Sequence, residues 1–186
     1  MTRASYHHGD LRRALLDEAH AELSRHGEGG LSVRDLARRV GVSPSAPLRH
    51  FPSRDHLLDA LAAEGFAALT ARLRATAPPG DGTAAERLAA LATAYVAFAV
   101  SRPELYRLMT GRPKQSWAAT GLAVAAEEAF AVLTGELAAG QRSGELVAAD
   151  VEELAVGIWA QAHGLARLVT DGALDPDDPV RLAGDV

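Results

Sequence analysis

Apolar residues recur three and four positions apart along almost the whole chain, and no stretch of more than a few residues alternates apolar with polar. An amphipathic helix needs the first pattern and a half-buried strand the second, so the spacing predicts an all-α fold. β-Branched residues are sparse beside alanine, leucine, arginine and glutamate, which agrees. At 186 residues the chain can bury a sizeable core, as one large domain or two small ones.

Capping signals divide the pattern into elements. A first helix is expected from about Asp10, with Leu11, Leu15, Ala19 and Leu23 on one face, up to the glycines of "RHGEGG". Ser32-Val33-Arg34-Asp35 reads as a capping box, and Val33, Leu36, Ala37 and Val40 follow at helical spacing for about two turns. Gly41 would supply the positive φ of a sharp turn. Ser43 and Pro44 read as cap and first position of a third short helix ending near Phe51-Pro52. Pro47 would be its fourth residue, where proline removes only the bond back to the cap carbonyl.

Ser53 caps a long fourth helix, with Leu57, Leu58, Leu61, Ala62, Phe66, Leu69 and Leu73 in its apolar stripe. "TAPPGDGT" is the most obvious break, and Thr83-Ala84-Ala85-Glu86 restarts a helix with a second capping box. Helices are then expected at about 84–101, from Pro103, at about 115–141 and at about 151–171, the last closed by "DPDDP". The domains expected are 1–66 and 67–186.

Two short helices about a glycine turn, supported by the helix before them, form the outline of a helix-turn-helix. Val33, Leu36, Ala37 and Val40 with Leu48 and Phe51 would fix the crossing, leaving Ser45, Ala46, Arg49 and His50 to face a major groove. Arg49 suits guanine or a phosphate, and His50 a phosphate. Arg34, Arg38 and Arg39 read as solvated or phosphate-steering groups. Tyr6, His7 and His8 read equally as an arm touching DNA and as a frayed terminus.

Charge distribution agrees with contact at one end. The formal net charge is −5, yet residues 1–60 hold nine arginines against eight acids, and residues 61–186 hold ten basic residues against sixteen acids. A mild basic footprint on an acidic body suits a protein that touches DNA locally.

Other chemistries lack their residues. The chain has no cysteine, which excludes disulfides and thiolate chemistry. It has no His-x-x-x-His pair, P-loop, Gly-x-Ser-x-Gly or Glu-x-x-His motif, and the adjacent pairs Glu127-Glu128 and Glu152-Glu153 diverge on a helix. No enzyme activity, metal or cofactor is expected. Without a signal-like start or a membrane-length apolar run, a soluble cytoplasmic protein with no membrane partner is expected.

Residues of about 10–66 resemble the N-terminal DNA-binding domain of the TetR family of transcriptional regulators. The resemblance is carried by "LLDEAHAELSRHGEGGLSVRDLARRVGVSPSAPLRHFPSRDHLLDAL". "YHHGDLRRALL", "RPELYRLM" and "WAQAHGLARL", with Trp159, His163 and Gly164, are similar to one subgroup of that family. The resemblance implies that Ser32 and Arg54 hold the DNA backbone and that Ser43, Pro44, Ser45, Ala46, Leu48, Arg49 and His50 belong to the reading helix. Many members carry at position 48 a tyrosine that reaches a phosphate. Leucine cannot, at a cost of about 1 kcal/mol per half-site, and is left as core or as a contact to a thymine methyl.

Family members usually enclose an apolar effector pocket in the C-terminal helices. The candidates here are Tyr95, Phe98, Tyr106, Met109, Trp117, Phe130 and Trp159, although an aromatic at helical spacing is core more often than pocket. The helix at 151–171 is apolar nearly all round, with small residues at Gly157, Ala160 and Gly164, which implies packing on a second copy with His163 nearby. The reading is thus a homodimeric regulator, expected to be a repressor of a palindromic operator. A small-molecule effector would tilt the long fourth helix. The rival is a dimeric ligand-binding or protein-interaction module with a degenerate reading head.

Overall fold

The computed structural model describes residues 8–76, 82–112, 117 and 121–175, the side chains of 8–10 excepted. Tyr6, His7, the His8 side chain and the chain beyond 175 lie outside that description. Among the described residues there are seven α-helices, two short 3-10 turns and no strand, so the all-α expectation holds.

The helices are α1 (His8–His26), α2 (Val33–Val40), α3 (Arg54–Thr76), α4 (Ala84–Ser101), α5 (Pro103–Gly111), α6 (Leu122–Ser143) and α7 (Val151–Thr170). The 3-10 turns are Glu28–Gly30 and Ala46–Arg49. The chain divides into two compact units, residues 1–64 with 104–123, and residues 65–103 with 124–186. α5, which a cut after residue 66 would put in a C-terminal domain, thus clusters with the N-terminal helices.

In the first unit α1 buries Leu11, Leu15, Leu16, Ala19 and Leu23, and α2 buries Leu36 and Ala37 against it. An ionic clasp joins the two helices. Arg39 reaches from α2 to Glu18 at 3.0 Å and to Glu22 at 2.6 Å. Glu22 is nearly buried and also faces His26 at 2.9 Å. Burial opposes its ionisation, but Arg39 and His26 outweigh burial and hold its carboxyl below the usual range.

Past the exposed Arg54 and Asp55, α3 is buried all round, since residues 57–62 are buried without exception. Asp59 lies among them with its side chain 2% exposed, so it must be paired. Its partner is Arg112, just past α5, whose Nε donates to Asp59 at 2.7 Å while Nη2 donates to Asp55 at 3.0 Å. Leu105, Tyr106, Leu108 and Met109 of α5 are buried with it.

In the second unit the expected Thr83–Glu86 capping box opens α4. The Thr83 N–H donates to Glu86 at 2.7 Å and the Glu86 N–H donates to Thr83 Oγ1 at 3.2 Å. A second carboxylate, that of Glu145 after α6, accepts from the Ala84 N–H at 2.6 Å. Arg87 ties α4 to Glu136 of α6 at 2.8 Å. α6 passes close to this end of α4: a Cβ on Gly140 would fall 2.8 Å from Ala84 Cβ and 2.6 Å from Leu146 Cδ1. By length and a mean hydropathy of 1.2, α4 is the one helix among the described residues that would pass for a membrane span, but it carries the Arg87–Glu136 pair and packs along α7.

Asp150 caps α7 by accepting from the N–H groups of Glu152 and Glu153 at 2.9 Å. α7 ends at Thr170, and Gly172 at φ 74° turns the chain away four residues before the first proline of "DPDDP". The Gly172 N–H donates to Val169 and the Ala173 N–H to Leu168.

Two outcomes follow. Asp59→Asn removes a charge that Arg112 needs and should destabilise the protein by about 3 kcal/mol in urea unfolding, the residual Asp55 contact keeping the loss at the low end for a broken buried pair. Pairing the loss with Arg112→Met should recover much of it. The lowered Glu22 pKa contributes stability above the ordinary carboxylate range that is lost as pH falls through the folded value. Glu22→Gln should therefore lower Tm at pH 7 and lower it progressively less as pH falls below that range.

Candidate nucleic-acid interface

The region resembling a reading head is built on α2 and the turn after it. Ser32 is the N-cap of α2, its Oγ accepting from the Asp35 N–H at 3.4 Å, which leaves the hydroxyl proton free to donate. The Asp35 carboxylate, one methylene shorter than the glutamate of a full capping box, instead pairs with Arg38 at 2.9 Å. Gly41 ends α2 at φ 79°, with its N–H on Arg38 and the Val42 N–H on Ala37, a double bond pattern that only a left-handed residue permits.

The expected reading α-helix from Ser43 is not formed. Its place is taken by a single 3-10 turn, Ala46–Arg49, with Ser45 rather than Ser43 at the cap and no side-chain cap bond. Proline explains this. Pro47 has no N–H to return to the Ser43 carbonyl, and that carbonyl accepts instead from Ala46 at 3.0 Å, which tightens the turn. The Pro47 carbonyl in turn accepts from His50 at 2.9 Å and Phe51 at 2.8 Å.

Side-chain directions follow from that turn. Pro47 and Phe51 point inward and are buried. Leu48, expected to share the core with Phe51, is 52% exposed, because the tightened turn gives the inward position to Pro47. Ser43, Pro44, Ser45 and Arg49 are exposed, and Ala46 and His50 are half-buried. Val33 and Val40 are also only half-buried.

The arginines of this unit sort into two groups. Arg39 is spent on Glu18 and Glu22, Arg38 on Asp35 and Arg13 on Asp17, while Arg12 lies 5.5 Å over the Phe51 ring. Arg54, which the resemblance assigns to the DNA backbone, donates Nε to Leu31 O at 3.0 Å and Nη2 to Glu28 O at 2.5 Å, and Nη1 reaches the Glu28 carboxylate at 3.4 Å. It therefore staples the start of α3 to the loop before α2, a role that sequence spacing did not reveal. Arg34 and Arg49 are exposed, and neither forms an ion pair among the described residues.

The seven aromatic and methionine candidates do not gather in one unit. Tyr106, Met109 and Trp117 belong to the first, and Tyr106 and Met109 are fully buried there. Tyr95, Phe98, Phe130 and Trp159 belong to the second, where Phe98 is buried, Tyr95 and Phe130 are half-buried and Trp159 is 42% exposed. His163 packs its ring 5.3 Å from that of Trp159 and shares a 3.3 Å hydrogen bond with Tyr95. Burial, and then Arg167, hold its imidazole below the ordinary histidine range. Gly157 and Ala160 are exposed and Gly164 is half-buried; a Cβ on either glycine would meet nothing within 4 Å.

Residues 15–61 match the family profile described as "Bacterial regulatory proteins, tetR family", and residues 88–183 match "Tetracyclin repressor-like, C-terminal domain". The "HTH-type transcriptional regulator Rv1816" of Mycobacterium tuberculosis is 34% identical over 103 residues, 55% of this chain and 41% of that protein. The chain thus spans less than half the length of the curated relatives it matches. A Rhodococcus sp. RHA1 structure, described as a protein with unknown function, is 40% identical, with a TM-score of 0.84 over 98% of this chain and 96% of the other. FadR from Bacillus subtilis, solved in complex with stearoyl-CoA, is 19% identical with a TM-score of 0.73 over 93% and 94% of the two chains, a likeness of fold. The chain belongs to the TetR family of bacterial regulatory proteins.

Proposed function

We propose that this protein is a sequence-specific DNA-binding transcriptional regulator without enzymatic activity, acting as a repressor that binds a palindromic operator as a homodimer. One observation carries the reading: Arg34 and Arg49 stay exposed and unpaired among the described residues, in a unit whose other described arginines are tied to carboxylates, carbonyls or a ring. Arg49 stands on the turn presented by Pro47 and follows the exposed Ser43, Pro44 and Ser45, a set suited to base edges and phosphates. Ser32, with its spare hydroxyl proton, and Arg54, with two N–H groups left over, are read as backbone contacts, and His50 as a phosphate donor.

The second copy is assigned to α7. Val156, Trp159 and Leu168 expose large apolar surfaces there beside Gly157 and Ala160, more than a solvated helix usually carries. Two heads in successive major grooves then follow from the two-fold axis. The effector belongs to the second unit in this reading, supported by the C-terminal family match and the half-buried Tyr95 and Phe130. FadR's complex with stearoyl-CoA favours an apolar ligand for that unit. Such a ligand controls DNA only by binding the operator-competent and incompetent states with different affinity.

Selection of bound duplexes from a random pool, followed by titration of variants, tests the DNA arm. Arg49→Ala should cost about 1–3 kcal/mol per half-site and relax the preference at one position. Arg34→Ala should weaken all sequences alike and flatten the salt dependence by about one unit of slope per half-site. Unchanged binding in both variants would identify the head as vestigial. For the dimer, Trp159→Glu should shift the mass in analytical ultracentrifugation from two chains to one while the helical circular dichroism persists.

A further inference from the structure

Leu48 is the only large apolar side chain of the first unit that stands exposed among the described residues; Val124, Val147, Val156, Trp159 and Leu168 all belong to the second. It cannot turn inward cheaply. Pro47 occupies the core position beside it, and the N–H groups of His50 and Phe51 both close on the Pro47 carbonyl, so rotating the turn to bury Leu48 would break two backbone bonds. The fold thus holds a side chain without donors or acceptors directly beside Arg49, on a surface otherwise formed by Ser43, Pro44 and Ser45.

This inference rests on the DNA-reading proposal. The base edges in a major groove carry hydrogen-bond donors, acceptors and a single kind of apolar group, the 5-methyl of thymine. A leucine at the reading surface gains nothing from the donors and acceptors, and against a phosphate it would desolvate a charge. We infer that Leu48 is a specificity-determining residue that reads a thymine methyl group in each half-site, in place of the backbone contact that a tyrosine makes at the corresponding position of many TetR proteins. Arg49 then reads the neighbouring base pair, and the two side chains together set the sequence preference.

The test uses the full-length protein and the duplex it selects from a random pool. Each thymine of the selected half-site is replaced singly by deoxyuridine, which pairs identically and lacks only the methyl. One thymine per half-site should prove sensitive, its replacement weakening binding about fourfold, the effect of removing one buried methyl group. Leu48→Ala should bind the thymine and deoxyuridine duplexes equally and should keep the parental Tm, since the side chain it removes is exposed. Insensitivity at every thymine, a selected half-site without thymine, or equal sensitivity in Leu48→Ala would each overturn the assignment. If the parent protein selects no sequence at all, the DNA-reading proposal itself fails, an outcome distinct from any of these.

Discussion

Asp59 and Arg112 form the contact on which the first unit depends. A carboxylate on a helix segment buried on every side has to meet a counter-charge, and Arg112, from just beyond α5, supplies one. That requirement draws α5 in among helices far from it in sequence, where its leucines, Tyr106 and Met109 complete the same core. The guanidinium reaches one turn further, to Asp55. The neighbouring Arg54 then holds the carbonyls of Leu31 and Glu28 at the threshold of α2. A run of charge-assisted bonds therefore extends from residue 112 to the cap of the helix that supports the reader turn, and each link is stronger than a neutral hydrogen bond of the same length.

Much of this architecture was legible in the sequence because it is local. Ser32, Gly41, Ser53 and the Thr83–Glu86 box mark helix ends through bonds that span two to four residues, and each stands where its spacing put it. The stripes of α1 and of the first half of α3 are buried as their periods require. What escaped was non-local or depended on a competition. Nothing near Arg112 announces Asp59, fifty-three residues away. The single missing N–H of Pro47 was expected to leave an α-helix intact, whereas without it the Ser43 carbonyl pairs one residue earlier and the whole element contracts. Of the two places open to Leu48, core or thymine methyl, the core one rests on a 3.6-residue period that the contracted turn does not have.

The same contrast explains why counting arginines near the N-terminus says little about DNA. Most of those cations have carboxylates of the same unit as partners, so the head is a nearly neutral, internally paired body. Its usable charge is concentrated at Arg34 and Arg49. A surface of that kind has a weak general attraction for phosphates and relies on contacts at fixed places.

The reader turn itself is four residues long, and a 3-10 turn advances only about 2 Å per residue. An element that short presents two side chains to a groove, where a longer helix would present a row of them. In the language of information, a head that reads DNA as proposed would name few base pairs outright. In the proposed dimer the remainder of an address would be written in how far apart two half-sites lie and how readily the duplex between them bends or narrows, qualities that a pair of short readers can measure without touching a base.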